Sequence, residues 1–83
     1  MPALVYLDLT TNQITDKGVS SLLCLTKLTH LYMMANRVTA DEVYRMFQQL
    51  KCLEVLDVRF NVQEQDKKDA MRANKPEKLH FFC

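Results

Sequence analysis

Asp8, His30 and Asp57 are residue types that serve as general acids and bases. Cys83, three residues after His80, is the nearest approach to a thiol nucleophile with a base beside it. Neither set comes with an oxyanion donor set or a second activated group that a reaction would need. No G-x-x-x-x-G-K-S/T, H-E-x-x-H or G-x-G-x-x-G occurs, so nucleotide, metalloprotease and dinucleotide chemistry lose their usual footholds. His30 therefore reads as a partly exposed histidine in a polar row. The chain reads as no enzyme, with no metal and no cofactor. Cys24, Cys52 and Cys83 cannot all pair with one another, and none lies in a C-x-x-C spacing. They read as reduced thiols, with Cys24 and Cys52 acting as small buried hydrophobes ahead of the strands that follow them.

The elements that would position these residues recur along the chain. Leu4, Leu7, Leu9, Asn12 and Ile14 fall in the spacing L-x-x-L-x-L-x-x-N-x-I, repeated by Leu28, Leu31, Met33, Asn36 and Val38. Leu53, Leu56, Val58 and Asn61 begin it a third time, so the periods are 24 and 25 residues. The alternating apolar positions predict a strand with one buried face. A helical pattern follows each block. Val43, Met46, Phe47 and Leu50 mark one face of a helix that Thr39 and Glu42 open as a capping box, and Val19, Leu22 and Leu23 mark a shorter one entered through Thr15. The third helix has only Ala70, Met71 and Ala73 as an apolar face, and Val62 follows Asn61 with no residue between. Both features suit a terminal unit facing solvent.

This pattern resembles the leucine-rich repeat. The stretch Asn12-Gln13-Ile14-Thr15-Asp16-Lys17-Gly18-Val19 is similar to the helix-containing intracellular subtypes found in ribonuclease-inhibitor-like and F-box-type proteins. The resemblance implies an α/β solenoid of about three and a half repeats, with parallel strands on the concave side and helices on the convex side. It also implies that Asn12, Asn36 and Asn61 tie their loops to neighbouring backbone, where turning amides need partners. Residues 1–83 then form one solenoid, with repeats at about 4–27, 28–52 and 53–75 and a terminal capping strand in 76–83, where Leu79 and Phe81 turn inward. Nothing caps the N-terminal edge, so the chain is expected to be the C-terminal part of a longer array, or to cover that edge with a partner or a second copy of itself.

With strands beginning at Leu4, Leu28 and Leu53, the residues between the buried ones form rows on the concave face. Tyr6, His30 and Val55 make one row, Asp8, Tyr32 and Asp57 the next, and Thr10, Met34 and Arg59 a third. Tyrosine, methionine and arginine are enriched at protein interfaces, so Tyr6, Asp8, His30, Tyr32, Met34, Asp57 and Arg59 are the candidate partner-binding residues, with Tyr32 at their centre. The same residues would serve a bare strand face as β-formers. The expected function is non-catalytic protein recognition by an adaptor, scaffold or complex subunit. Alternatives are a structural subunit inside a large assembly, or the substrate-receiving part of a ubiquitin ligase.

Eleven Lys and Arg against ten Asp and Glu leave a net charge of +1, too little to draw in nucleic acid or an acidic membrane. Residues 1–4 show no basic n-region ahead of a long apolar stretch, and no apolar run approaches a membrane span. The chain is expected to be intracellular, cytoplasmic or nuclear. Gly18 is the one glycine, which argues against hairpin-rich all-β folds that rely on glycine in their turns.

Overall fold

Each apolar alternation becomes a three-residue strand and each helical stretch a helix, in a computed structural model that describes residues 6–10 and 13–83. In chain order these are β1 (Tyr6–Asp8), α1 (Asp16–Leu22), β2 (His30–Tyr32), α2 (Ala40–Gln49), β3 (Val55–Asp57), α3 (Gln65–Asn74) and β4 (His80–Phe82). The strands form one open parallel sheet in the order β1-β2-β3-β4. Parallel neighbours need a crossover, and one helix supplies it each time.

The chain enters successive strands the same way. The Leu28 N–H donates to the Leu25 carbonyl (3.0 Å), Leu53 to Leu50 (3.2 Å) and Leu79 to Pro76 (3.0 Å). The chain thus enters β4 through the same turn that leads into β2 and β3.

Leu7, Leu31, Leu56 and Phe81 pair in register along the inward face of the sheet. Val19 and Leu23 of the first helical segment, Val43, Met46, Phe47 and Leu50 of the second and Met71 of α3 pack with them, as do Leu28, Met33, Val38, Val58, Val62 and Leu79 from the turns and loops that flank the strands. Burying each such aliphatic side chain contributes on the order of 1.5–3 kcal/mol. Burial is graded: Leu31 and Leu56 are fully enclosed, whereas Leu7, Leu9 and Leu22 are only partly covered. Gly18 lets α1 lie close to its own lead-in, because a Cβ there would come within 2.8 Å of Ile14 Cγ2.

The asparagine loops repeat almost bond for bond. The Asn36 amide donates to the carbonyls of Leu9 (2.9 Å), Met33 (3.1 Å) and Met34 (3.3 Å), and its oxygen accepts the Ile14 N–H at 2.8 Å. One unit on, the Asn61 amide donates to Met33 (2.7 Å), Val58 (3.0 Å) and Arg59 (3.3 Å), and its oxygen accepts the Val38 N–H at 3.0 Å. Each side chain therefore joins its own loop to the preceding unit. The residue before each asparagine, Ala35 or Phe60, takes a left-handed backbone with φ of 56° or 65°. Val62 is buried although it follows Asn61 directly. Asn12 and Leu4, the corresponding residues of the first unit, lie outside the described residues.

Several expectations are corrected. Cys24 and Cys52 are exposed, because each lies in the turn just beyond a helix, where Leu23 in one case and Leu50 in the other take the core position. Thr39 stands at the N-cap of α2 with extended backbone, but its hydroxyl makes no cap bond; Glu42 pairs with Arg45 three residues later at 3.6 Å. In α3 only Met71 is buried. Ala70 and Ala73 lie about 100° and 200° around the helix from it and face solvent.

Candidate functional site

The face of the sheet opposite the helices carries the side chains between the inward ones. Tyr6, His30, Val55 and His80 align as Cα partners, and Asp8, Tyr32, Asp57 and Phe82 align beside them. Two of the three predicted rows are thus aligned, and each of these two gains a member from β4. Thr10, Met34 and Arg59 follow two residues beyond Asp8, Tyr32 and Asp57. His80 and Phe82 were not among the sequence candidates. Their signal was the alternation after Leu79, which places both outward once Leu79 and Phe81 face in.

Two aromatic groups occupy the ends of this face. At the β1 end the Tyr6 ring stacks on His30, with centroids 5.0 Å apart and planes 26° from parallel, and lies 5.4 Å from the tilted Tyr32 ring. The two phenol oxygens are 3.4 Å apart. That hydrogen bond, more than any neighbouring charge, pushes the Tyr32 hydroxyl above the usual tyrosine value. Nδ1 of His30 lies 2.8 Å from the Thr29 hydroxyl. At the β4 end the Arg59 guanidinium lies 5.9 Å above the Phe82 ring, within cation–π range. Phe60 follows it, two-thirds exposed and in a left-handed conformation that costs a bulky side chain energy.

The acidic residues are strand-end turns as well as charges. The Thr10 N–H donates to Asp8 Oδ1 at 3.0 Å, and the Arg59 N–H donates to Asp57 Oδ1 at 3.1 Å. Hydrogen bonds from the Thr10 side chain and backbone hold Asp8 below the ordinary carboxylate value, so it is ionised at neutral pH. Asp57 is buried beneath Arg59, whose Nε and NH2 groups form a fork on it at 3.0 and 2.8 Å. That pairing raises the guanidinium above even its usual high value.

The face does not bring acid–base groups together as a catalytic set. His30 is flanked in its row by Tyr6 and Val55, while Asp8 and Asp57 lie in the next row with Tyr32 between them. His80 is outward and exposed, whereas Cys83 packs toward α3, its sulfur 3.9 Å from the Lys68 carbonyl. Burial pushes the Cys83 thiol up, against the pull of Arg72 and Lys68, the opposite of an activated nucleophile. Among the described residues no group of three or more His, Cys, Asp or Glu is arranged to hold a metal ion. Nor is any described helix long and apolar enough to cross a membrane.

No curated protein and no solved structure matches the chain. Residues 2–23 match the family model described as Leucine Rich repeat, a stretch that includes β1 and α1. The match supports a leucine-rich repeat there, and the parallel four-stranded sheet with its helices fits an α/β repeat fold. Domains built on this repeat are typically non-catalytic and generally mediate protein–protein interaction.

Proposed function

We propose that this chain is a non-catalytic protein-recognition module, an adaptor, scaffold or complex subunit, that binds through the strand face by Tyr6, Asp8, His30, Tyr32, Met34, Asp57 and Arg59. The observation that carries the reading is the clustering of exposed rings and charged groups on that one face. Tyr6 and Phe82 are exposed aromatic residues of that face, at 59% and 47%, and Phe60, in the turn after β3, is exposed at 67%. Rigid aromatic side chains beside an arginine are what interface hot spots are made of. Phe82 and His80 extend the surface to a fourth strand.

The asparagine ladder and the recurring strand-entry turn support a solenoid of about three and a half repeats over residues 1–83, with the strand face concave. Its partly covered leucines at the β1 end, against fully enclosed ones further on, favour an array that continues there or a partner packed on that edge. Unpaired, exposed Cys24 and Cys52 favour a reducing, intracellular setting.

The test places a photo-crosslinking residue at Val55, between the two aromatic groups, and a second at Gln48, on the helix side. Capture of the same distinct protein from position 55, and not from position 48, is the expected result. Equal capture from both, or capture of nothing from position 55, would overturn the assignment to this face.

A further inference from the structure

Asp8 and Asp57 occupy equivalent places in their units, and among the described residues a guanidinium reaches only Asp57. Each carboxylate accepts the N–H of the residue two positions on, at 3.0 and 3.1 Å. Beside each, the next backbone N–H runs to the neighbouring strand in the same way, Leu9 to the Tyr32 carbonyl at 2.7 Å and Val58 to the Phe82 carbonyl at 2.8 Å. Each faces an aromatic residue as its Cα partner on the following strand, Tyr32 for Asp8 and Phe82 for Asp57. At Asp57 the residue two positions on is Arg59, whose guanidinium forks onto the carboxylate and lies over the Phe82 ring. At Asp8 that residue is Thr10, and among the described residues no cation pairs with the carboxylate.

Building on the strand-face reading above, we propose that Asp8 and Tyr32, with Tyr6 beside them, receive an arginine side chain of the protein partner, in the arrangement that Arg59 makes within this chain on Asp57 and Phe82. Charge and geometry agree on the occupant. Asp8 is exposed and ionised, and a carboxylate offers about four lone-pair directions, of which the Thr10 N–H and hydroxyl take two. The remainder suits the planar fork of a guanidinium, which stacks on a ring while it donates, as a compact ammonium does not. Tyr6 and Tyr32, with centroids 5.4 Å apart, leave no gap for a cation between them. They make no cage around a methylated ammonium, and because their planes are tilted by 49° a flat group lies on one ring, that of Tyr32, the Cα partner of Asp8.

The test is an NMR titration of the full chain with N-acetyl-arginine methylamide, following the ring protons of Tyr6 and Tyr32. Saturable shifts in the millimolar range are expected, weakened about tenfold when the citrulline analogue replaces arginine or when Asp8→Asn removes the charge. Asn at position 8 can still accept the Thr10 N–H, so the turn survives. Thr10→Arg should produce the ring shifts without added ligand and block the titration. An absent response, an equal response to citrulline, or one indifferent to Asp8→Asn would overturn the assignment. This failure is distinct from that of the strand-face reading. Without an arginine response the site is wrong even if position 55 captures a partner; without capture, the strand-face reading falls and takes the partner with it.

Discussion

The asparagine edge and the strand face use polar residues to opposite ends. Asn36 is buried, and each polar atom of its side chain is spent within the chain, on two loops of successive units. On the strand face Tyr6 is mostly exposed, and its ring stacks on His30 and lies beside Tyr32. A recurring polar residue whose partners are all backbone serves the fold. The strand-face residues instead change type from one unit to the next, as Asp8, Tyr32, Asp57 and Phe82 do along one row, so the repeat itself does not fix what they are.

Perturbing the interior that both regions rest on should have the largest effect. Leu31→Ala, at the fully enclosed centre of the inward row, should cost about 2–5 kcal/mol in urea unfolding. Next comes Asn36→Ala, which leaves loop amides and carbonyls unpaired and should cost about 1–3 kcal/mol, whereas Gln13→Ala, exposed in the preceding loop, should be near neutral. Comparable urea midpoints for these two variants would break the distinction between edge and surface. A smaller effect of opposite sign belongs to Ala35→Gly: it relieves the left-handed φ of 56° and should stabilise by up to about 1 kcal/mol, less the entropy glycine gains when unfolded. A lower midpoint would show that Ala35 contributes packing that outweighs its strain.

The smallest effect is that of pH on the strand face. Because Asp8 has a depressed value when folded, its contribution to stability is present above its unfolded value, near about 3.9, and is lost as pH falls through the folded one. Asp8→Asn should therefore flatten the stability profile below about pH 4 and leave its slope near neutrality unchanged. Urea midpoints across that range check this, and an unaltered acid limb would show that the Thr10 bonds do not persist in solution.

Much of this molecule was legible because its repeat fixes positions. The inward leucines and the outward rows of β1 to β3 follow from a period of two inside a period of 24 or 25 residues, whereas the role of Asn36 and Asn61 came from the resemblance to the leucine-rich repeat. What periodicity does not carry is contact. That Tyr6 stacks on His30, or that Arg59 folds back onto Asp57 and over Phe82, depends on rotamers and on cross-strand register, which no single strand specifies. The exposed Cys24 and Cys52 were misplaced because apolar character says nothing of which side of a turn faces the core. Ala70 and Ala73 were misplaced for a related reason, since small residues sit equally well on either face of a helix.

We expect the strand face to be separable from the fold it rests on. Two readouts on one double variant, Tyr6→Ala with Tyr32→Ala, test it most directly: the urea midpoint, and capture of the partner by a crosslinker at position 55. Unfolding free energy should fall by no more than about 1 kcal/mol while capture is lost. Capture that persists alongside a collapsed midpoint would contradict it and make these rings part of the fold.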